Sequence, residues 1–322
     1  MTRLTDLRTL QAHIARQVIG QGKLVNRLLV ALLCDGHLLV EGAPGLAKTR
    51  AIKVLGAGVE GDFHRVQFTP DLLPADLTGT EVYRPQDGSF RFQPGPLFHN
   101  LILADEINRA PAKVQSALLE AMGERQITVG AETYRLPELF LVMATQNPIE
   151  QEGTYPLPEA QLDRFLMHLR IDYPDAQTER EILRINRDEA RSSGGQPSAM
   201  PEPITQQVVF EARRAVLDLH LAPALEEYLI NLVLATREPG KYDAALGRII
   251  QYGASPRATI SLDRCARAHA WLRGSEFVSP DDIQAVAPDV LRHRILLSFE
   301  AEAEGMTPDD VIDRLIELVA VP

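Results

Sequence analysis

The sequence contains little cysteine: two residues of this type, at positions 34 and 265, occur in 322. Two cysteines cannot build a disulfide framework, so the count fits a protein of a reducing compartment. Each lies in an apolar stretch, which predicts two buried free thiols. The eight histidines include no pair at metal-ligand spacing, so they indicate no histidine-based metal site.

The chain also lacks an excess of positive charge. Its 33 Lys and Arg residues stand against 44 Asp and Glu, which gives a formal net charge of -11. No run of Lys or Arg forms a local basic patch, and an acidic surface repels phosphate backbones. The composition therefore argues against non-specific binding of nucleic acid.

Long apolar segments are missing as well, and the longest apolar runs have the length of strands, so no membrane span is expected. The first residues, MTRLTDLRTLQAHIARQVIGQ, have apolar side chains near helical spacing. They lack the apolar segment with basic flanks that marks a signal peptide. We therefore expect a cytoplasmic protein.

Five short apolar runs dominate the first half of the chain; they cover residues 37–42, 63–68, 100–107, 139–147 and 165–171. Several are continuous rather than alternating, which is typical of strands buried on both faces. Helical patterns lie between them, so we predict an α/β fold with a five-stranded parallel sheet and helices on both faces. Insertions within residues 69–98 and 126–136 predict two projecting hairpins.

The composition changes after residue 174. A helical pattern over residues 177–189 leads to the polar, Gly- and Pro-rich stretch RSSGGQPSAMPEPIT, and residues 206–322 have a helical pattern with no convincing strand. The length also favours two domains. We predict an α/β core over residues 1–174 and a small all-α domain over residues 175–322, with a linker near residues 191–205.

A candidate phosphate-binding loop, EGAPGLAKT, follows the first strand at residues 41–49. Such a loop needs inward backbone N–H groups, a helix N-terminus and a lysine that reaches the outer phosphates. Lys48 would contact the β- and γ-phosphates, and the Thr49 hydroxyl would bind Mg²⁺. Ala47 stands where the usual motif has glycine, so an ordinary strand-to-helix turn with a surface lysine is the alternative.

Polar side chains end the third and fourth strands, where α/β sheets hold their ligands. In LILADEINRA, Asp105 suits Mg²⁺ through its water shell, and Glu106 can polarise the attacking water; a helix N-cap is the alternative. In LVMATQNP, Asn147 can orient that water and sense the γ-phosphate. An asparagine that forms a turn before Pro148 is the alternative there.

Together these motifs resemble the AAA+ ATPases, specifically the MoxR family. The resemblance is carried, in order over nearly the whole chain, by VIGQ, EGAPGLAKT, ADEINRAPAKVQSALLEAM, ATQNP, LPEAQLDRF and GASPRA. Leu-Ala-Lys-Thr in the loop is itself a feature of that family. The resemblance implies an AAA+ P-loop core, a helical lid, and ATP or ADP bound with Mg²⁺. The nucleotide-contacting residues that it implies are Ile19, Gly20, Gly42, Ala43, Pro44, Gly45, Leu46, Ala47, Lys48, Thr49 and Arg50.

The resemblance also implies roles for arginines. Arg164 in LDRF looks like an arginine finger that reaches the γ-phosphate of a neighbouring subunit, and Arg109 is a second candidate for this role in trans. Arg257 in SPRA looks like a second sensor that reaches the nucleotide of its own subunit. A guanidinium stabilises the charge that concentrates on the γ-oxygens. A surface ion pair between Asp163 and Arg164, and a helix N-terminal position for Arg257, are the alternatives.

The function implied by the resemblance is Mg²⁺-dependent ATP hydrolysis in a hexameric ring that remodels or matures protein complexes, sometimes with metal cofactor insertion. Its usual partner carries a von Willebrand factor A domain. A nucleic-acid motor is one alternative, but the net charge and the single arginine of QDGSFRFQ argue against it. A nucleotide-gated scaffold with little turnover is another, and the complete set of catalytic residues argues against that.

Overall fold

The computed structural model describes residues 2–148, 153–191 and 202–322. The helices of the first half are α1 (Thr2–Gln17), α2 (Gly22–Leu33), α3 (Lys48–Gly58), α4 (Pro74–Thr78), α5 (Ala112–Glu124), α6 (Glu159–Leu162) and α7 (Ala176–Arg191). The strands are β1 (Leu38–Glu41), β2 (Phe63–Gln67), β3 (Gly79–Arg84), β4 (Ser89–Pro94), β5 (Leu101–Asp105), β6 (Gln126–Val129), β7 (Glu132–Arg135), β8 (Leu141–Gln146) and β9 (Met167–Arg170).

The second half is mainly helical, as predicted. Its helices are α8 (Gln206–Leu217), α9 (Pro223–Arg237), α10 (Leu246–Ile249), α11 (Pro256–Arg273), α12 (Pro280–Leu291), α13 (Phe299–Ala303) and α14 (Pro308–Leu318). The expectation of no strand was wrong in one detail: β10 (Ile250–Tyr252) and β11 (Leu296–Leu297) form an antiparallel pair. These strands are two or three residues long, too short to produce a readable alternation.

The predicted parallel sheet is confirmed, with the strand order β2-β5-β8-β1-β9. Alternate residues of β5 point to opposite faces, so Leu101 and Leu103 pack in one apolar cluster and Ile102 and Ala104 in another. Burial on both faces explains why this strand is continuously apolar in sequence. The sheet therefore lies between two layers of core.

The first of these clusters joins the sheet to the N-terminal helices and to the second half of the chain. Leu7, Leu10 and Ile14 of α1 are fully buried, which explains the helical spacing of apolar residues near the N-terminus. The same cluster includes Leu262 and Cys265 of α11. Both cysteines are buried free thiols, as predicted. The core and the helical half thus share one apolar interior.

The two predicted hairpins are confirmed. β3 pairs with β4 from Gly79↔Pro94 to Arg84↔Ser89, and β6 pairs with β7. Phe92 of the first hairpin stacks on Tyr134 of the second with ring centroids 4.0 Å apart, so the hairpins pack against each other. In the region of the predicted linker, residues 192–201 lie outside the described part of the chain. No helix among the described residues has the length and apolar content needed to cross a membrane.

Candidate nucleotide site

The predicted phosphate loop connects the end of β1 to the start of α3. A Cβ atom at Gly42 would lie 2.5 Å from Ile171 Cγ1 and 2.7 Å from the Ile171 carbonyl oxygen, so this position requires glycine. Ala47 has φ 58°, in the left-handed region. An alanine there costs about 1 kcal/mol relative to glycine, which a well-packed loop can tolerate. The loop geometry is therefore retained without the usual second glycine.

Lys48, the first residue of α3, turns back over this loop. Its Nζ donates a hydrogen bond to the Gly42 carbonyl oxygen. Burial lowers the pKa of Lys48, and the negative charges of Asp105, Glu106 and Glu41 oppose that shift. The ammonium group therefore lies within electrostatic reach of the acidic pair. Thr49 follows Lys48 in the first turn of α3.

Asp105 and Glu106 lie at the carboxyl end of β5, as the sequence predicted. Asp105 Oδ1 accepts a hydrogen bond from Thr145 Oγ1 at 2.6 Å, and Oδ2 accepts from Arg65 Nη2 at 2.7 Å. The Thr145 hydroxyl oxygen in turn accepts from the Glu106 backbone N–H at 2.9 Å. One hydroxyl from β8 thus fixes both acidic residues.

The Glu106 backbone also has a left-handed conformation, with φ 58°. Its carboxylate accepts hydrogen bonds from Gln67 Nε2 at 2.7 Å and from Arg109 Nη1 at 2.9 Å. Arg109, predicted as a candidate for a role in trans, therefore contacts the carboxylate of its own subunit in this structure. A non-glycine residue at positive φ is strained, and such strain clusters at functional sites.

Sequence inspection missed Arg65, Gln67 and Thr145. All three lie near the carboxyl ends of strands that border β5, and Gln67 is in register with Asp105. β2 ends in polar residues, as the neighbouring strands do at the predicted site, and this pattern is visible in the sequence. The pattern could not assign these residues to the site, because the sequence does not show that β2 is the neighbour of β5.

Asn147 follows β8 directly and its side chain is buried. It lines a cleft of about 370 Å³ together with Glu41, Asn108 and His168. His168 Nε2 lies 2.9 Å from Glu41 Oε2. The predicted sensor asparagine therefore lies at the same edge of the sheet as the phosphate loop and the acidic pair.

A second cavity, of about 290 Å³, lies beside the phosphate loop. Its walls come from the turn between α1 and α2, from the loop, and from α7; they include Gln17, Ile19, Gln21, Pro44, Gly45, Leu46, Ala47, Arg50, Tyr173 and Ile182. At Gly20, with φ 75°, a Cβ would lie 2.2 Å from Thr178 Cγ2, so α7 closes tightly over this turn. An apolar cavity adjoining a phosphate loop suits a nucleotide base.

The arginines predicted to act on phosphate lie elsewhere. Arg164 and Arg257 line one pocket with Gly36 and His37, which precede β1, and with Leu166, which precedes β9. These are the amino ends of the parallel strands, whereas Lys48 lies at the carboxyl end. The four residues of β1 alone separate the two edges by about 10 Å.

In this structure Arg257 does not lie beside the phosphate loop of its own subunit. Arg257 Nη1 lies 3.6 Å from Asp163 Oδ2, and its side chain is 59% exposed. Asp163 does not pair with Arg164: its Oδ1 accepts from Arg294 Nε at 2.7 Å, and its Oδ2 accepts from Ser255 Oγ at 2.9 Å. Arg164 Nη1 donates instead to the Leu119 carbonyl oxygen. Both arginines therefore belong to the edge opposite the phosphate loop.

A parallel sheet of this order, a Lys-Thr phosphate loop, an acidic strand end and a helical second half define a protein of the AAA class. Comparison with protein families gives the same class. Residues 37–167 match the ATPase family associated with various cellular activities (AAA), and residues 244–315 match the AAA lid domain.

Individual relatives identify the family within this class. The chain is 45% identical over 313 residues to Chaperone MoxR1 of Mycobacterium tuberculosis, covering 96% of this chain and 81% of that protein. It is 33% identical over 339 residues to Protein MoxR of Methylorubrum extorquens, covering 99% and 97%. The crystal structure of a candidate ATPase from Cytophaga hutchinsonii superposes with a TM-score of 0.90 at 45% identity, covering 100% and 96%. The chain belongs to the MoxR family of AAA+ ATPases.

Proposed function

We propose that this protein hydrolyses ATP with Mg²⁺ in a hexameric ring and uses the cycle to remodel or mature protein complexes. The observation that carries the proposal is the convergence of Lys48, Asp105 and Glu106 at one edge of the sheet, beside an apolar cavity of nucleotide size. The functional division that we propose is a core over residues 1–174 and a lid over residues 175–322.

The donor set fits Mg²⁺. The Thr49 hydroxyl would bind the ion, and the Asp105 carboxylate would hold it through its water shell; both are the hard oxygen groups that Mg²⁺ prefers. When bound, the ion neutralises charge on the phosphate oxygens. Lys48 adds positive charge at the β- and γ-phosphates, and the loop N–H groups hold them in place.

The hydrolytic step falls to Glu106 and Asn147. The Glu106 carboxylate orients the attacking water and accepts its proton, once its hydrogen bonds to Gln67 and Arg109 are rearranged. The Asn147 amide, buried at the end of β8, holds that water near the γ-phosphate. The residues Ile19 and Gly20, in the turn between α1 and α2, contact the base.

The position of the two arginines on the opposite edge supports the proposal of a ring. Arg164 and Arg257 are too far from their own phosphate loop to act there, and both line a pocket open to solvent. In the proposed ring each subunit presents them to the nucleotide of the next subunit, where they stabilise the charge of the transferred group. Arg257 is thus proposed to act in trans, unlike the sequence-based expectation.

The protein client is proposed to carry a von Willebrand factor A domain, whose metal-ion site takes an acidic side chain; the net charge of -11 is compatible with such a partner. The relative named as a chaperone supports a remodelling role. We further propose that the protein acts in the cytoplasm and that its role includes insertion of metal cofactors. Exposed Tyr83 and Phe90, which contact each other on the β3–β4 hairpin, provide an apolar surface for a protein.

The test compares two variants at the same edge. Glu106→Gln keeps the phosphate loop, so we expect wild-type affinity for ADP and a loss of turnover of about 10²- to 10⁴-fold. Lys48→Ala should lose both its affinity for ADP and its turnover. Wild-type turnover in Glu106→Gln would mean that another group acts as the base, and unchanged ADP affinity in Lys48→Ala would reject the site itself.

A further inference from the structure

An arginine already occupies the carboxylate that is proposed to serve the metal. Arg65 lies on β2, and its Nη2 and Nε atoms both donate to Asp105 Oδ2, at 2.7 and 3.0 Å. The other oxygen, Oδ1, accepts from Thr145 Oγ1 at 2.6 Å. Each oxygen of this carboxylate therefore has a protein donor.

The ion pair is held in a fixed geometry. The Asp105 side chain is only 12% exposed, whereas that of Arg65 is 50% exposed. Arg65 Nη2 also donates to Gln67 Oε1 at 2.9 Å, so two neighbouring acceptors hold the guanidinium plane. A side chain that donates twice to one oxygen of a buried carboxylate differs from a surface pair, whose long side chains remain mobile. Its solvent-exposed half nevertheless leaves it room to withdraw.

We propose that Arg65 is a built-in counter-ion whose positive charge competes with Mg²⁺ for the carboxylate of Asp105. The inference rests on the proposed function, which assigns Asp105 to the metal. Asp105 would hold the ion through a water molecule, and a guanidinium and a divalent cation still repel each other across the few ångströms that this arrangement leaves between them. Arg65 therefore raises the metal concentration at which the nucleotide complex takes up its ion.

The same contact protects the site when the metal leaves. A carboxylate as buried as Asp105 is destabilising if it is ionised without a partner. With Arg65 on Oδ2 the carboxylate stays paired, so the stability of the subunit does not depend on the metal. The role of Arg65 is thus to position and neutralise a metal ligand, and its charge is the property that matters.

Titration of Mn²⁺ into the complex of the protein with ADP, followed by electron paramagnetic resonance, measures this competition without hydrolysis. For Arg65→Gln, which keeps donors but removes the charge, we expect the Kd for Mn²⁺ to fall about tenfold, or about 1.4 kcal/mol. Arg65→Met should behave in the same way and serves if the first variant does not fold. Arg65→Lys keeps the charge and should stay within about twofold of wild type.

Arg314→Ala is the matched control, because Arg314 is also 50% exposed and also pairs with carboxylates, but on α14. It should leave the Kd for Mn²⁺ unchanged. Equal or weaker Mn²⁺ binding in the neutral Arg65 variants would overturn the inference while leaving the proposed function intact. A wild-type ADP complex that takes up no Mn²⁺ would instead reject the proposed metal site, and the inference with it.

Discussion

Gln67 Nε2 donates a hydrogen bond to Glu106 Oε2 at 2.7 Å, which ties the proposed base to the strand beside its own. Arg109 donates to the same oxygen at 2.9 Å. Two donors on one oxygen hold the carboxylate in this orientation. As the proposed base, Glu106 has to be released from these two contacts before it can orient the attacking water.

Removing that restraint should raise basal hydrolysis. In Gln67→Ala one of the two donors is lost, and a hydrogen bond of net worth about 1 kcal/mol corresponds to a rate increase of about fivefold. Steady-state ATPase measurements without client provide the readout. Gln86→Ala, on the exposed tip of the first hairpin, is the control and should have no effect. An unchanged or lower rate for Gln67→Ala would show that the contact does not restrain Glu106.

The arginine finger can be tested by mixing defective subunits. Arg164→Ala should bind nucleotide normally and hydrolyse it slowly, by about 10³-fold or more, because the guanidinium is supplied in trans. Mixed with Lys48→Ala subunits it should recover activity, since some interfaces then combine an intact loop with an intact arginine. A mixture of Lys48→Ala and Glu106→Gln is the control, because no interface in it is complete. Equal rates in the two mixtures would exclude action in trans.

Arg257 offers a test that distinguishes the sequence-based expectation from the proposed action in trans. Since Arg257 lies at the amino ends of the strands, Arg257→Ala should leave the Kd of a dilute single subunit for ADP within about twofold of wild type. Calorimetry or a fluorescent ADP analogue measures this, with Lys48→Ala as the positive control for loss. A tenfold weaker Kd would instead support the sequence-based expectation that Arg257 senses the nucleotide of its own subunit.

His37 gives a prediction about stability and pH. Burial lowers the pKa of His37 to about 3, below the ordinary value of about 6.5, and its Nδ1 lies 3.1 Å from the Val142 backbone N–H. The unfolded chain then binds a proton that the folded protein excludes. The contribution of neutral His37 is fully present above pH 6.5 or so and is lost progressively as the pH falls towards about 3.

Urea unfolding at about pH 7.5 and about pH 5 measures this contribution, which amounts to about 2 kcal/mol between the two conditions. In His37→Asn the amide oxygen can still accept from Val142, but nothing titrates. The free energy of unfolding should therefore fall less between the two pH values, by about that amount, whatever the packing cost of the substitution. An identical fall in both proteins would contradict the assignment.

The sequence alone was sufficient to predict features that a single strand and the residues after it determine. Continuous apolar runs identified β1, β5 and β8, and the residues that follow them identified Lys48 and the acidic pair, because a strand end is readable locally. Arg65 and Gln67 could not be found in this way, since their role depends on β2 lying beside β5. A single sequence does not show which distant strands pair with each other.

The position of Arg257 relative to the sheet could not be predicted for a related reason. Its local pattern predicts the start of a helix, which α11 confirms, but not the edge of the sheet against which that helix packs. That edge is decided by contacts between the two halves of the chain, such as Arg294 with Asp163 and Arg292 with the His168 carbonyl oxygen. These contacts link residues more than 120 positions apart.

The separation of the phosphate loop from the arginines gives each subunit a direction. In the proposed ring one edge receives an arginine and the other offers one, so two copies related by a two-fold axis would bring like edges together and complete no site. Productive contacts are necessarily heterologous and point the same way around the assembly. A closed circle or an open spiral satisfies this rule, and a symmetric dimer does not.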